Sequence, residues 1–533
     1  MYATLVLLNG KVYTLDDKKP TAQAVAILND KIGYVGENPE VARLVGPLTN
    51  VIDLDGKTVL PGFADCHVHM AGFGRSLSAI NLRNVTSIIQ LKELFRQKSQ
   101  QLAPNTWILG YGWDQEKFAE KRLPTRWDLD EAATDSPVVL YRVCTHICVA
   151  NTKALERAGI SSTTVAAPGG VIDTEPSTGE LTGILRENAL ELFFSAFPKA
   201  SEEEIFQVCL MACQRAVEAG ITGVNWIVES PAEMRVIQKM RRKGKLPLRV
   251  YLLVPAEFLE NLQGLGLMQS FGDSMLKICG LKILLDGSLG AQTAALCAPY
   301  NDAPETSGML TYRQEDFEAL VSDAHKAGLR VAVHAIGDKA MNTAIKAFEK
   351  ALEKVPDADR RHRIEHASVL NEELIQRMKS LGVIASVQPH FIVSDFWVEN
   401  RLGKKRARWV YPFKSLLKAG VIVCGGSDCP VEPISPLLGI WAAVVKQQTS
   451  EECLTVEEAI RLYTVNAAYA NFEETLIGTI EEGKLADMVV LSDDPFKIKL
   501  EKIRDIDVLM TLVGGQVAHD FRGSCAAPSN MLT

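Results

Sequence analysis

The chain has 533 residues, 47% of them apolar and 23% charged. That is enough to bury a large core and too apolar for global disorder. Its 57 basic residues stand against 65 acidic ones, a net charge of −8, which excludes the broad basic surface that nucleic-acid binding needs. The 11 cysteines are scattered without CxxC pairs and read as reduced thiols, not a disulfide framework. No run of about 18 apolar residues occurs, so no membrane span or membrane partner is expected. Met1-Tyr2-Ala3-Thr4-Leu5 lacks a basic n-region, and Asn9-Gly10 breaks the apolar run behind it. No secretory leader is expected, and the cytoplasm is the default compartment.

The first 60 residues read as short strands. Thr4 to Leu8 closes on Asn9-Gly10, and Ala22–Leu28 and Ile32–Val35 flank Asn29-Asp30 as a hairpin. Val51–Leu54 and Thr58–Leu60 bracket Asp55-Gly56. From residue 61 the rhythm changes to strand-helix alternation. Strands are predicted at Gly62–His69, Gly223–Ile227, Arg249–Val254, Gly280–Asp286, Arg330–His334, Arg363–Glu365, Ile384–Gln388 and Val421–Gly425. Amphipathic stretches such as Glu202–Ala219, Glu233–Lys243, Gln314–Ala327, Lys339–Lys354 and Phe413–Ala419 separate several of them. Gly220, Gly328, Gly382 and Gly420 fall where helix C-caps belong.

Eight strands in this alternation predict an α/β fold, a (β/α)8 TIM barrel. An open doubly wound sheet is the alternative, but its GxGxxG fingerprint is missing after the first strand. Between about Leu102 and Asn188 the pattern is irregular, which predicts an insertion lobe after barrel strand 1, over the barrel mouth. Strand signals return after Leu476, at Asp487–Leu491 and Val508–Val513, and 477–480 is read among the strands and turns there. The expected domains are therefore 1–60 with 476–525 as a small β-sandwich built from both termini, 61–105 with 189–475 as the barrel, and 106–188 as the lobe. The last ten or so residues read as a loose tail.

The chemistry starts at His67-Val68-His69. Residues i and i+2 of a strand share a face, so two imidazoles at the end of a first barrel strand can hold one metal. A bare HxH is weak by itself. His334 and His366, however, each close an apolar strand, and Asp428 follows another. One such residue is as easily structural as functional; ligand types at four strand ends are hard to dismiss. Barrel active sites form at those ends. Lys282 lies within the apolar run Gly280–Leu285, where a charged amine is costly to bury. Either it is N-carboxylated by CO2 into an anionic bridge between metals, or it stays an amine paired with an acid such as Asp286.

Pro61-Gly62-Phe63 through His69, Lys282 to Gly290, His334, His366 and Asp428 together resemble the amidohydrolase superfamily, and within it the YtcJ-like branch that includes N-substituted formamide deformylases. Gly112-Trp113-Asp114, His146, Ser386-Val387-Gln388-Pro389 and Gly483-Lys484-Leu485-Ala486-Asp487 extend the similarity to about residue 515. Ala64-Asp65-Cys66 departs from the usual Ile-Asp-Ser of the family; Cys66 points away from the histidines, so metal binding is expected to be unaffected. The resemblance implies a barrel flanked by a small β-sandwich and a divalent metal site, usually zinc, of one or two ions. In that pattern His67 and His69 bind one metal, His334 and His366 a second, and carbamylated Lys282 bridges them. Asp428 binds metal and handles the proton.

The expected activity is therefore hydrolysis of a non-peptide C–N bond in a small amide, formamide or cyclic amide by metal-activated hydroxide. The alternatives are a mononuclear deaminase of the same superfamily or, from another class, a barrel that binds without catalysis. Mononuclear deaminases carry a Glu three residues after the strand-five histidine, where this chain has Gly337. Trp113 and His146 are candidate substrate contacts, with ordinary packing as the competing role. Glu365, His325, His362, His390 and His519 are read as structural. The partner implied is a small-molecule substrate, and a homodimer is compatible with the resemblance.

Overall fold

The computed structural model describes residues 2–166, 169–194, 200–357, 359–445 and 450–521; the expected tail lies outside them. Eight parallel strands form one sheet: β1 (Phe63–Val68), β2 (Ile221–Ile227), β3 (Arg249–Pro255), β4 (Leu276–Leu284), β5 (Val331–Ala335), β6 (Arg363–His366), β7 (Ile384–Val387) and β8 (Val423–Gly425). Each pairs with the next in chain order. Backbone bonds past the strand ends bring β8 back to β1. The Asp428 amide donates to the His67 carbonyl at 2.7 Å, and the His69 amide to the Cys429 carbonyl at 2.9 Å. The sheet is thus a barrel, as the alternation predicts. Its strands read as near-continuous apolar runs because helices cover one face and the lumen the other.

The helices follow from equally local causes. Glu202–Glu218 starts at Ser201 with a reciprocal capping box to Glu204, and buries Phe206, Cys209, Ala212, Cys213 and Ala216 along one stripe. The helix Phe413–Ala419 ends at Gly420, whose φ of 79° suits a residue without a Cβ. Among the described residues no helix is long and apolar enough to cross a membrane.

Both termini build the flanking sandwich. Leu5–Leu8, Ala24–Leu28, Lys31–Gly36 and Asn50–Asp53 make one sheet. In the other, Thr58–Pro61 pairs antiparallel with Met488–Leu491, which continues into Val508–Val513 and Gln516–Asp520. Leu5, Leu7, Val25 and Ile27 of the first sheet share a core with Val59, Met488, Val490 and Leu512 of the second. Residues 477–480 are not a strand, since Gly478 at φ 95° turns the chain there.

The insertion is more ordered than its sequence pattern suggests. It carries a six-stranded sheet that includes Ile108–Trp113, Val138–Arg142, Ile147–Ala150 and Leu181–Glu187. Ile80–Asn81 joins that sheet, and Ile88–Gln100 packs on it, upstream of the expected start at residue 106. The physical reason for the irregular pattern is that both faces are covered. Val138 and Leu140 enter one apolar cluster, and Val139 and Tyr141 another. No alternation of polarity is left to read.

The sandwich docks on the barrel through a buried ion pair. Arg249 of β3 donates Nε and Nη2 to the two oxygens of Asp487, each at 2.7 Å. Asp487 also accepts from the Gly514 amide at 2.7 Å, which gives the Gly483–Asp487 motif a structural role. Arg249→Met strands a buried carboxylate and should cost about 3–5 kcal/mol, read as a lower urea midpoint. An unchanged midpoint would remove this pair from the docking.

Candidate metal centre

Every ligand candidate lies at the C-terminal end of the barrel. His67 is the penultimate residue of β1, and His69 follows that strand as the N-cap of the helix Met70–Leu77. Lys282 lies in β4, His334 in β5, His366 ends β6, and Asp428 sits three residues past β8. His67 Nε2 and His69 Nε2 converge on Asp428 Oδ1 at 3.3 and 3.4 Å. One donor atom from each of these three residues lies within 4.8 Å of the others. Lys282 Nζ is 3.3 Å from His67 Nε2.

His334 and His366 extend the same row rather than joining that triplet. The His366 ring centroid lies 4.9 Å from that of His67 and 4.4 Å from that of His334. His366 donates Nδ1–H to Gln388 Oε1 at 2.7 Å, which leaves its Nε2 as a lone pair. His334 has Nε2 3.2 Å from the Gly287 carbonyl, so its Nδ1 is the free base.

Electrostatics agree with this geometry. Burial pushes His366 down to about 3, against the pull of Asp428. Burial, then His366 and Lys282, hold His334 well below the ordinary imidazole value. Both rings therefore keep the lone pairs a metal requires. Burial opposes a charge on His69 too, yet the carboxylates of Asp428 and Glu229 raise it to about 9. These acids call for positive charge at that point. Burial works to raise Asp428, and His67 and His69 outweigh it, so the carboxyl stays well below its usual range. Lys282 is 7% exposed, and burial lowers it to about 8. Imidazoles and a carboxylate in such proximity, with their outer nitrogens fixed, fit a divalent ion such as zinc.

Glu365, read from sequence as structural, fixes the outer nitrogen of His67. It accepts from His67 Nδ1 at 2.5 Å and from Arg363 Nε at 2.8 Å, and all three side chains are buried. Glu229 lies 3.6 Å from His69 Nδ1 and is paired with Arg75. Nothing in the local sequence around Glu229 marks it. Glu365 carries one signal: an acid inside a short apolar barrel strand is costly unless paired.

Above the row lies a cavity of about 270 Å³, lined by Asp428, His334 and His366 from the barrel and by residues of the lobe and the βα loops. His146 lines it, with Nδ1 2.7 Å from Glu187 Oε2 and its ring 6.2 Å from that of His334. Trp113 does not. It is fully buried in the lobe core beside Phe118, ring centroids 6.3 Å apart. An irregularity at Gly112 (φ 95°), where the strand pairing slips, turns Trp113 onto the face of Ile108, and Asp114, just past the strand, faces the cavity, paired with Arg142 at 2.8 Å. His390 lines the cavity as well. His325 and His362 are core residues bonded to each other at 3.0 Å, as expected.

A barrel carrying this side-chain set at its strand ends defines a class, and the chain belongs to the amidohydrolase family, whose model matches residues 50–519. YtcJ of Bacillus subtilis, described as an amidohydrolase, is 34% identical over 96% of this chain and 98% of its own length. The N-substituted formamide deformylase of Arthrobacter pascens is 28% identical over 98% of this chain and 99% of its own. Among solved structures, an uncharacterized metal-dependent hydrolase from Pyrococcus furiosus superposes with a TM-score of 0.76 at 34% identity, covering 92% of this chain and all of that one.

The new place of Trp113 is testable. Trp113→Ala should cost the lobe about 3–5 kcal/mol, seen as earlier proteolysis between residues 80 and 187, with metal affinity unchanged. Unaltered stability combined with a raised KM would return Trp113 to the substrate.

Proposed function

We propose that the chain is a metal-dependent hydrolase that cleaves a non-peptide C–N bond in a small amide, formamide or cyclic amide. The observation that carries this reading is the convergence of His67, His69, Lys282 and Asp428 at the mouth of the barrel, beside His366 and His334. These six side chains would hold the ion or ions. Bound there, a divalent ion would polarise a carbonyl and bring the pKa of water from about 15.7 toward about 7.

The chain's own residues supply the rest. Asp428, held as a carboxylate, accepts the proton of the attacking water. Glu365 and Gln388 fix which nitrogens of His67 and His366 face inward. The neutral amine of Lys282 is within reach near neutral pH. Adding CO2 to it with loss of one proton makes the carbamate, which exchanges a buried cation for the anion that a pair of metals would favour. His146 is positioned to hold the substrate over the row.

The deaminase alternative has a steric objection. A Cβ at Gly337 would lie 1.9 Å from the Ala295 carbonyl oxygen, so no glutamate fits the position that reading needs. The Gly337 amide also donates to Asp286 at 2.9 Å, which locks the turn.

Elemental analysis of untagged protein, loaded with zinc and bicarbonate, tests the proposal alongside a panel of N-formyl amines, N-acyl amines and cyclic amides. Bound divalent metal, cleavage of one panel class and loss of that activity with a chelator are expected. Lys282→Ala should lower both metal occupancy and turnover. Undiminished turnover after chelation would sink the metal mechanism, and an unaltered Lys282→Ala enzyme would sink the bridge.

A further inference from the structure

Among the described residues, two imidazoles line the cavity without belonging to the ligand row, His146 and His390. They stand on different sides. His146 abuts His334 on the β4–β5 side, where its partner Glu187 also accepts from Thr293 at 2.7 Å. His390 follows β7, and its partner Glu432 lies on the loop after β8, the loop that carries Asp428. His390 Nδ1 donates to Glu432 Oε2 at 2.5 Å. Glu432 is 3% exposed, whereas the His390 side chain is 20% exposed. No described residue hydrogen-bonds His390 Nε2, the nitrogen left for whatever occupies the cavity.

Burial alone would push Glu432 up, yet the bond and charge of His390 hold its carboxyl below the usual range. A buried carboxylate against Nδ1–H fixes the tautomer and steadies the imidazolium, the orienting role an acid plays behind a catalytic histidine. The amidohydrolase reaction needs such a group. Amide nitrogen leaves poorly unless it is protonated as the C–N bond breaks, and Asp428 stands at the other end of the same loop, among the candidate metal ligands.

We propose that His390, oriented by Glu432, is the acid that protonates the leaving nitrogen, while Asp428 takes the proton from water. The proposal rests on the hydrolase reading above. Water adds its oxygen to the carbonyl carbon and loses a proton to Asp428. The C–N bond then breaks, its electron pair goes to nitrogen, and nitrogen takes the proton on His390 Nε2. The amine departs, and the acid product leaves as a carboxylate once its proton passes to solvent. The proton on Asp428 restores His390 through solvent, so one water is consumed and no other reactant is required. His390 is a catalytic residue in this scheme, and Glu432 a positioning residue.

The test is a series of N-formyl or N-acyl amines whose leaving amines run from alkylamines to nitroanilines, assayed with wild type, His390→Gln and Glu432→Gln. Loss of the acid should cost about 10²–10⁴-fold in kcat for alkylamine leaving groups and progressively less toward nitroanilines, which depart with little protonation. The dependence of log kcat on leaving-group basicity therefore steepens in His390→Gln, and more weakly in Glu432→Gln, while metal content stays that of wild type. Should His390→Gln fail to fold, the slope of Glu432→Gln decides. An equal loss across the whole series, or a lowered metal content, would overturn the acid role and leave the hydrolase reading standing. If wild type cleaves no member of the series or of the wider amide panel, the C–N reading falls and this inference with it.

Discussion

The lumen of the barrel holds a guanidinium and a carboxylate, and the rest of the site is stacked on them. Arg363 and Glu365 share a face of β6 and pair at 2.8 Å with neither exposed. Such a pair is costly to desolvate, and losing one partner of it costs about 3–5 kcal/mol. What makes it worthwhile is reach. Arg363 also donates to the Cys66 carbonyl at 2.6 Å and to Ser386 at 2.9 Å. Glu365 crosses the lumen to His67 Nδ1. One ion pair therefore ties β6 to β1 and β7 and fixes the tautomer of the innermost histidine, which sets where its Nε2 points.

The fold was legible because each of its devices is local. Strand ends, capping boxes and C-cap glycines lie within a few residues of the elements they bound, so all eight barrel strands and the main helices could be read in order. The clustering of the candidate residues was legible for a related reason: a barrel puts strand ends on one rim, and a polar residue closing an apolar run is conspicuous. Glu365 escaped notice because period-two alternation sends neighbours to opposite faces, and His366 had already claimed the functional face. His366 breaks the alternation, with φ 72° in the left-handed region. The strand stops there and the ring turns back over the mouth, so both neighbours reach His67. Trp113 failed in the opposite sense, since a large aromatic in a Gly-rich segment looks like a binding residue until the second face of the lobe sheet is seen to be covered too.

Three residues at the site carry backbone strain. His366 at φ 72°, Asp428 at 56° and Glu187 at 50° all occupy the left-handed region, at a cost of order 1–3 kcal/mol each that surrounding structure must offset. They are two ligand candidates and the residue that orients His146. The constraint that holds Asp428 is visible: its amide bonds the His67 carbonyl, and the preceding Ser427 amide bonds Asp65 Oδ1 at 3.0 Å. The same loop closes the barrel and presents the carboxylate, so barrel closure and ligand geometry are not separable properties here.

The division of labour between barrel and lobe follows from these constraints. The candidate ligands lie on strands or within a few residues of them, tied by cross-barrel bonds, and have little freedom to vary. The cavity above them is walled by loops whose residues answer to packing within the lobe on one side and to the substrate on the other. Two neighbours show the two demands side by side: Trp113 ends a strand and fills the lobe core, while Asp114, just past it, pairs with Arg142 at the cavity wall. A change of substrate therefore needs only outward-facing positions of the lobe strands and the βα loops to change, with the inward-facing ones and the ligand row left alone. That is a physical reason for a chemistry legible at the strand ends to sit beneath a specificity that residue types along the chain do not spell out.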